Sequence, residues 1–237
     1  MMTSEANKAE KRKVLVSFVY PFLFVLTLWL VEWAEIAQER SFVTYGLFPR
    51  TLSGLRGIFL SPFIHSDFNH LFNNSVPLLI MGTALFYFYR KVALRLTLLI
   101  IIAGGVWTWI SARPSYHIGA SGLVYGLFGF LLVSGFIRRH KGLMSLSFLV
   151  AFIYGSLVWG VLPIDYNISW EGHLWGLLAG VALAYYFRKQ GPQREVHQWE
   201  EEDEEDDDES DQSYWQSNDA DSVIQVRYDV RKTNETD

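Results

Sequence analysis

A serine at position 121 and a histidine at position 173 are the residue types from which a nucleophile and its general base are made, and each opens a long apolar stretch. A serine hydroxyl is a poor nucleophile until a base takes its proton. An imidazole, whose ordinary pKa is about 6.5, suits that task near neutrality. His70 and Asn74 stand four residues apart, so on a helix they share one face, and both side chains can donate hydrogen bonds. Acyl transfer builds negative charge on the former carbonyl oxygen, which donors fixed in advance stabilise by about 3 kcal/mol each. The backbone N–H of Ser121, at a helix start, is a third candidate donor. Gly119, Ala120 and Gly122 flank the serine with minimal bulk, leaving room for a substrate backbone. Tyr125, one turn beyond Ser121, is placed to stack on an imidazole. Gly172, Gly176 and Gly180 form a flat stripe beside His173 that permits a close helix crossing.

Those side chains cooperate only if separate segments carry them to one place, and the apolar pattern supplies the segments. About 20 mostly apolar residues are needed to cross a hydrocarbon core of about 30 Å. Six stretches meet or approach that requirement: 14–31, 70–89, 94–110, 119–137, 143–162 and 169–187. Basic residues cluster at alternate junctions: Lys8 to Lys13, then Arg90, Lys91 and Arg95, then Arg138, Arg139 and Lys141, then Arg188 and Lys189. By the positive-inside rule these lie in the cytoplasm, as do both termini. Ser121, His173, His70 and Asn74 then converge at similar depth on the outer side, from three different helices. Polar groups at that depth are functional candidates by default. Residues 34–69 form a connection too long to be passive and too apolar for water, and are expected to fold as short helices in the membrane interface.

Composition agrees with a membrane body and a solvated appendage. Half of the 237 residues are hydrophobic and 16% are aromatic. Residues 191–237 hold 17 of the 25 acidic side chains and 4 of the 20 basic ones, leaving 16 basic against 8 acidic in residues 1–190. The basic excess sits between apolar runs, so a nucleic-acid surface is excluded. Such an acidic tail is expected to be disordered, although residues 222–230 alternate apolar and polar and could pair with a soluble partner. The domain division is therefore a basic N-terminus at 1–13, a membrane domain at 14–190 and a cytoplasmic tail at 191–237. Residues 14–31 are longer than a leader's apolar core and lack a small-residue cleavage pattern, and read as a retained span. Cysteine is absent, which removes thiolate catalysis and disulfides. A metal site from His65, Asp67 and His70 lacks a His-Glu-x-x-His pattern and is set aside, and no cofactor is expected. Leu123 stands where the nucleophile elbow of soluble hydrolases has its second glycine, so that fold is set aside as well.

The Gly119-Ala120-Ser121-Gly122 run with Tyr125, the spacing His65-x4-His70-x3-Asn74, and Gly172-His173 followed by Gly176 and Gly180 together resemble the rhomboid family of intramembrane serine proteases. The resemblance covers roughly residues 14–190. It implies an all-α polytopic membrane protein: a six-transmembrane-helix bundle of bacterial type with a long interfacial first loop. It also implies a Ser121–His173 dyad without an aspartate, an oxyanion hole from His70, Asn74 and the Ser121 N–H, and a structural role for His65. The substrates would be transmembrane segments of other proteins, met in the lipid bilayer of a plasma or inner membrane. Many members carry a Trp-Arg pair eight to nine residues before the equivalent of His65, where this chain has Arg56 and Gly57. Catalytically inactive rhomboid-like proteins, which bind membrane clients, are the competing class. They usually lack the serine or the histidine, and this chain keeps both.

Overall fold

Polar groups at the segment boundaries decide where the helices begin and end. The fold is given by a computed structural model that describes residues 4–194. The expected tail and its 222–230 segment lie outside the described residues, apart from 191–194. Helix α1 (Ser4–Ala37) is 34 residues long, about 50 Å at 1.5 Å per residue. It is followed by three short 3-10 turns and a one-turn α2 (Gly57–Leu60). The longer helices are α3 (Phe68–Phe88), α4 (Ala93–Ser111), α5 (Ser121–Arg138), α6 (Lys141–Tyr154) and α7 (Trp170–Tyr186). The Asp67 carboxylate caps α3, accepting from the His70 N–H at 2.9 Å. His140 caps α6 by accepting from the Leu143 N–H at 3.2 Å. Between them α5 stops at Arg139, whose φ of 49° cannot continue a right-handed helix.

Among the described residues the protein is all-helical apart from one isolated bridge. Among these residues five helical segments are long and apolar enough to cross a membrane: Glu5–Ala37, Phe68–Phe88, Ala93–Ser111, Ser121–Arg138 and Lys141–Val161. The expected sixth span is α7, a helix of 17 residues, about 26 Å long. The six-span count is thus not reached on length: Phe187 leaves the helix at one end and Ser169 precedes it at the other.

Helix α5 sits at the centre, with 67% of its apolar window buried against 22% for α1. It packs on α7 backbone to backbone. A Cβ on Gly176 would run into the carbonyl of Gly122, and one on Gly180 into the carbonyl of Gly126. Side chains elsewhere would separate the helices, so the glycine stripe sets their spacing. At the basic end, buried Arg138 on α5 donates from Nε to Gln190 O at 3.0 Å and from Nη2 to Phe187 O at 2.6 Å, tying down the end of α7.

The first loop does contain the expected short helices, and Leu52 (86% exposed), Phe59 and Leu60 give it an apolar outer surface. Its anchoring explains the Arg56–Gly57 departure. A Cβ on Gly57 would overlap the backbone of Leu47, so glycine lets the chain cross there. Arg56 donates to Thr44 O at 3.0 Å and lies 4.6 Å over the Tyr45 ring. Leu47 in turn bridges His117 through both backbone groups, at 3.1 and 2.8 Å.

Candidate active site

The N-terminal ends of α3, α5 and α7 meet, and each contributes from its first turns. Ser121 is the first residue of α5. The chain enters it through Gly119 at φ +98°, a conformation that favours glycine. A side chain there would also strike His70, with its Cβ 2.5 Å from Nε2. The turn is fastened from the first loop: the Gly119 N–H donates to Ser61 O at 2.9 Å, and the Ala120 N–H to His65 Nε2 at 3.4 Å. His65 is therefore placed on the backbone that presents Ser121. Burial holds its pKa down to about 4, so it stays neutral and able to accept.

His173, in the first turn of α7, is 7% exposed and places Nε2 at 2.8 Å from Ser121 Oγ. Its Nδ1 lies 2.9 Å from the carbonyl of Gly160. A carbonyl can only accept, so the ring hydrogen sits on Nδ1 and the Nε2 lone pair faces the serine hydroxyl. Tyr125 stacks on the imidazole with ring centroids 4.2 Å apart and planes 8° from parallel. The histidine is thereby held at both ring nitrogens and on one face.

Asn74 is buried, and its Nδ2 has no hydrogen-bond partner within the protein. Both His70 Nε2 and Asn74 Nδ2 border Gly119, two residues before Ser121. His70 Nδ1 is engaged by Ser66, 3.1 Å from its hydroxyl oxygen. These groups, with Ser121, Tyr125, Ser169 and His173, line a cavity of about 570 Å³. Gly122 faces the other way, toward the carbonyl of Gly172. Of the eight residues singled out from sequence, His70, Asn74, Ser121, Tyr125 and His173 line this cavity, and His65, Gly119 and Gly122 do not. Among the described residues no three His, Asp or Glu side chains are grouped to hold a metal ion.

Sequence reasoning missed several neighbours. The Gly160 carbonyl orients His173, yet any residue carries a carbonyl. His117 is 4% exposed, with Nδ1 2.6 Å from Ser169 Oγ and Nε2 3.2 Å from Arg113 O. The Arg113 N–H donates to Glu171 Oε1 at 3.3 Å, its Nη2 donates to Ile168 O at 2.6 Å, and its Nε is 3.7 Å from the same carboxylate. One signal was available: His117 and Ser169 stand four residues before Ser121 and His173 respectively.

The Rhomboid domain family model matches residues 53–190. The chain is 34% identical to an uncharacterized protein of Mycobacterium tuberculosis over 182 residues, which is 73% of this chain and 75% of the relative. It is 32% identical to an uncharacterized protein of Mycobacterium leprae over 202 residues, 81% and 79% of the two chains. A putative rhomboid protease of Bacillus subtilis is 30% identical over 129 residues, 52% of this chain and 62% of that one.

Proposed function

Because the chain belongs to the rhomboid family, we propose that it is an intramembrane serine endopeptidase, cleaving transmembrane segments of other membrane proteins through a Ser121–His173 dyad. The observation that carries this reading is the 2.8 Å bond from Ser121 Oγ to His173 Nε2, with Nδ1 committed to Gly160 O. A carbonyl here orients the base as an aspartate does in serine proteases of the Ser-His-Asp kind.

In the proposed reaction Ser121 Oγ bonds to the scissile carbonyl carbon as its proton passes to His173 Nε2. The C–O π electrons move onto oxygen, where Asn74 Nδ2, His70 Nε2 and the Ser121 N–H donate to the new charge. The unused donor on Asn74 fits a partner that exists only during reaction. His173 then protonates the leaving amine as the C–N bond breaks. A water repeats the sequence on the acyl-enzyme, returning the proton to Ser121. No metal or cofactor is needed for any step. In the cell the site faces the outer side of a plasma or inner membrane, with both termini cytoplasmic, as the basic junctions imply.

The test is hydrolysis of a fluorogenic transmembrane peptide by the detergent-purified full chain. Ser121→Ala and His173→Ala should each abolish it, and the double variant should be scarcely worse than either, since the two act as a unit. Cleavage surviving in Ser121→Ala would rule out the mechanism. Binding of the peptide by wild type without cleavage would favour the client-binding class.

A further inference from the structure

Two serine–histidine hydrogen bonds join α5 and the segment that leads into it to the start of α7, in register with one another. Ser121 and His173 are bonded across 52 positions, and so are His117 and Ser169, four residues earlier on each side and with the residue types exchanged. We propose that His117 and Ser169 are a positioning pair for the hydrolytic step: their bond fixes how far the first turn of α5 stands from the first turn of α7, and with it the Ser121–His173 geometry. This rests on the dyad proposed above.

The direction of each bond is set by its neighbours. Arg113 O can only accept, so His117 carries its hydrogen on Nε2, and Nδ1 accepts from the Ser169 hydroxyl. Ser169 is the N-cap of α7, yet its side chain makes no capping bond; the hydroxyl goes to His117 instead. Both partners are rigidly mounted. His117 is held by the double backbone bridge to Leu47, and the Ser169 carbonyl accepts from the His173 N–H at 3.1 Å, so a shift of Ser169 carries His173 with it.

The reacting atoms need this support because of where they lie. The glycine seam begins level with the dyad, where Gly122 faces the carbonyl of Gly172, and holds the helices inward from there through Gly176 and Gly180. Outward of the dyad the two segments are joined by the His117–Ser169 bond and by the Arg113 contacts to Glu171 and Ile168. Those Arg113 contacts remain when the Ser169 oxygen is removed. Its loss should therefore loosen the dyad without unfolding the protein.

A fluorophosphonate probe reads dyad geometry without a transmembrane substrate. Ser121 Oγ bonds to phosphorus, fluoride departs, and the hydroxyl proton goes to His173. Labelling rates of the full chain in detergent would be compared for wild type, Ser169→Ala, Ser169→Thr, His117→Ala and Ser121→Ala, together with thermal midpoints and the labelled residue. Ser169→Ala should label on the order of tenfold more slowly, with its midpoint within about 4 °C of wild type. In the peptide assay kcat should fall with KM little changed, and Ser169→Thr should restore most of the rate. His117→Ala should match Ser169→Ala; if it fails to fold, the serine variants still decide. Wild-type labelling rates in Ser169→Ala would overturn the pair, as would a loss of rate that merely follows a loss of stability. Label found on Ser169 in the Ser121→Ala protein would also overturn it, making Ser169 a nucleophile. A wild type that takes no label would bring down the dyad and this pair together.

Discussion

Gly160 presents its carbonyl to His173 Nδ1 at 2.9 Å, and the same glycine has no room for a side chain, because a Cβ there would overlap the hydroxyl of Tyr125. One residue thus both orients the His173 ring and leaves space for the ring that stacks on it. Gly160→Ala should push Tyr125 away from the imidazole and disturb the carbonyl. Activity is expected to fall by on the order of tenfold or more, since a misplacement of about 1 Å costs that much or more. Thermal stability should change far less, because residue 160 lies in the 3-10 segment Gly155–Val161, none of whose residues is buried. Equal kcat in wild type and Gly160→Ala would show that the carbonyl and the stacked ring do not govern the base.

Asn74 offers a cleaner separation of binding from catalysis. Its Nδ2 is buried and unpartnered in the resting protein. A bond made mainly to the developing oxyanion lowers the barrier without tightening ground-state binding. Asn74→Ala should therefore reduce kcat by about 10- to 1,000-fold while KM changes little. Steady-state kinetics in detergent would check this. A rise in KM with kcat preserved would make Asn74 a substrate anchor.

His65 gives the fold a pH dependence whose sign can be worked out. Burial lowers its pKa to about 4, and burial lowers that of His117 as well, against about 6.5 in an unfolded chain. Above about pH 6.5 both states are neutral, and the full stability is present. As pH falls from there toward 4, the unfolded chain takes up protons that the folded one refuses, so stability declines. For His65 the complete decline is about 3 kcal/mol. Asp67, whose pKa is lowered chiefly by the backbone bond from His70, acts only below its own ordinary range near 4. The thermal midpoint, followed by tryptophan fluorescence, should drop between pH 6.5 and 4.5, and His65→Gln should flatten the drop. A midpoint that holds or rises over that window would contradict it.

How much was legible in the sequence depended on whether a feature lives in side-chain type or in backbone shape. The α3, α4 and α5 helices begin and end within two residues of their apolar runs, since length and hydropathy suffice to specify them. Ser121 and Tyr125 could be placed on one face, and the glycines of α7 against α5, because helical spacing is a local property. The 17-residue length of α7 was not visible, because Ser169 looks like part of the span until its hydroxyl is seen bonded to His117. Gly160 gave no signal, since it acts through a carbonyl. Arg56 and Gly57 read in sequence only as a departure from the Trp-Arg pair; the crossing at Leu47 that requires glycine is a tertiary contact.

Orientation across the bilayer is the remaining proposal, and α6 provides the ruler. Lys141 and Asp165 lie at opposite ends of the segment Lys141–Val161 that is long enough to span, and both side chains are exposed. A difference in their reactivity in intact cells must then come from the membrane and not from burial. Lys141 belongs to a basic junction with Arg138 and Arg139, which the positive-inside rule assigns to the cytoplasm. Asp165 lies in the turn that precedes α7 and hence on the side of His173. The chain contains no cysteine, so single cysteines report without background. With an impermeant maleimide, Asp165→Cys should label in intact cells and Lys141→Cys only after permeabilisation. The reverse pattern would place Ser121 and His173 on the cytoplasmic side, and the substrates would then have to present their cleavage sites there.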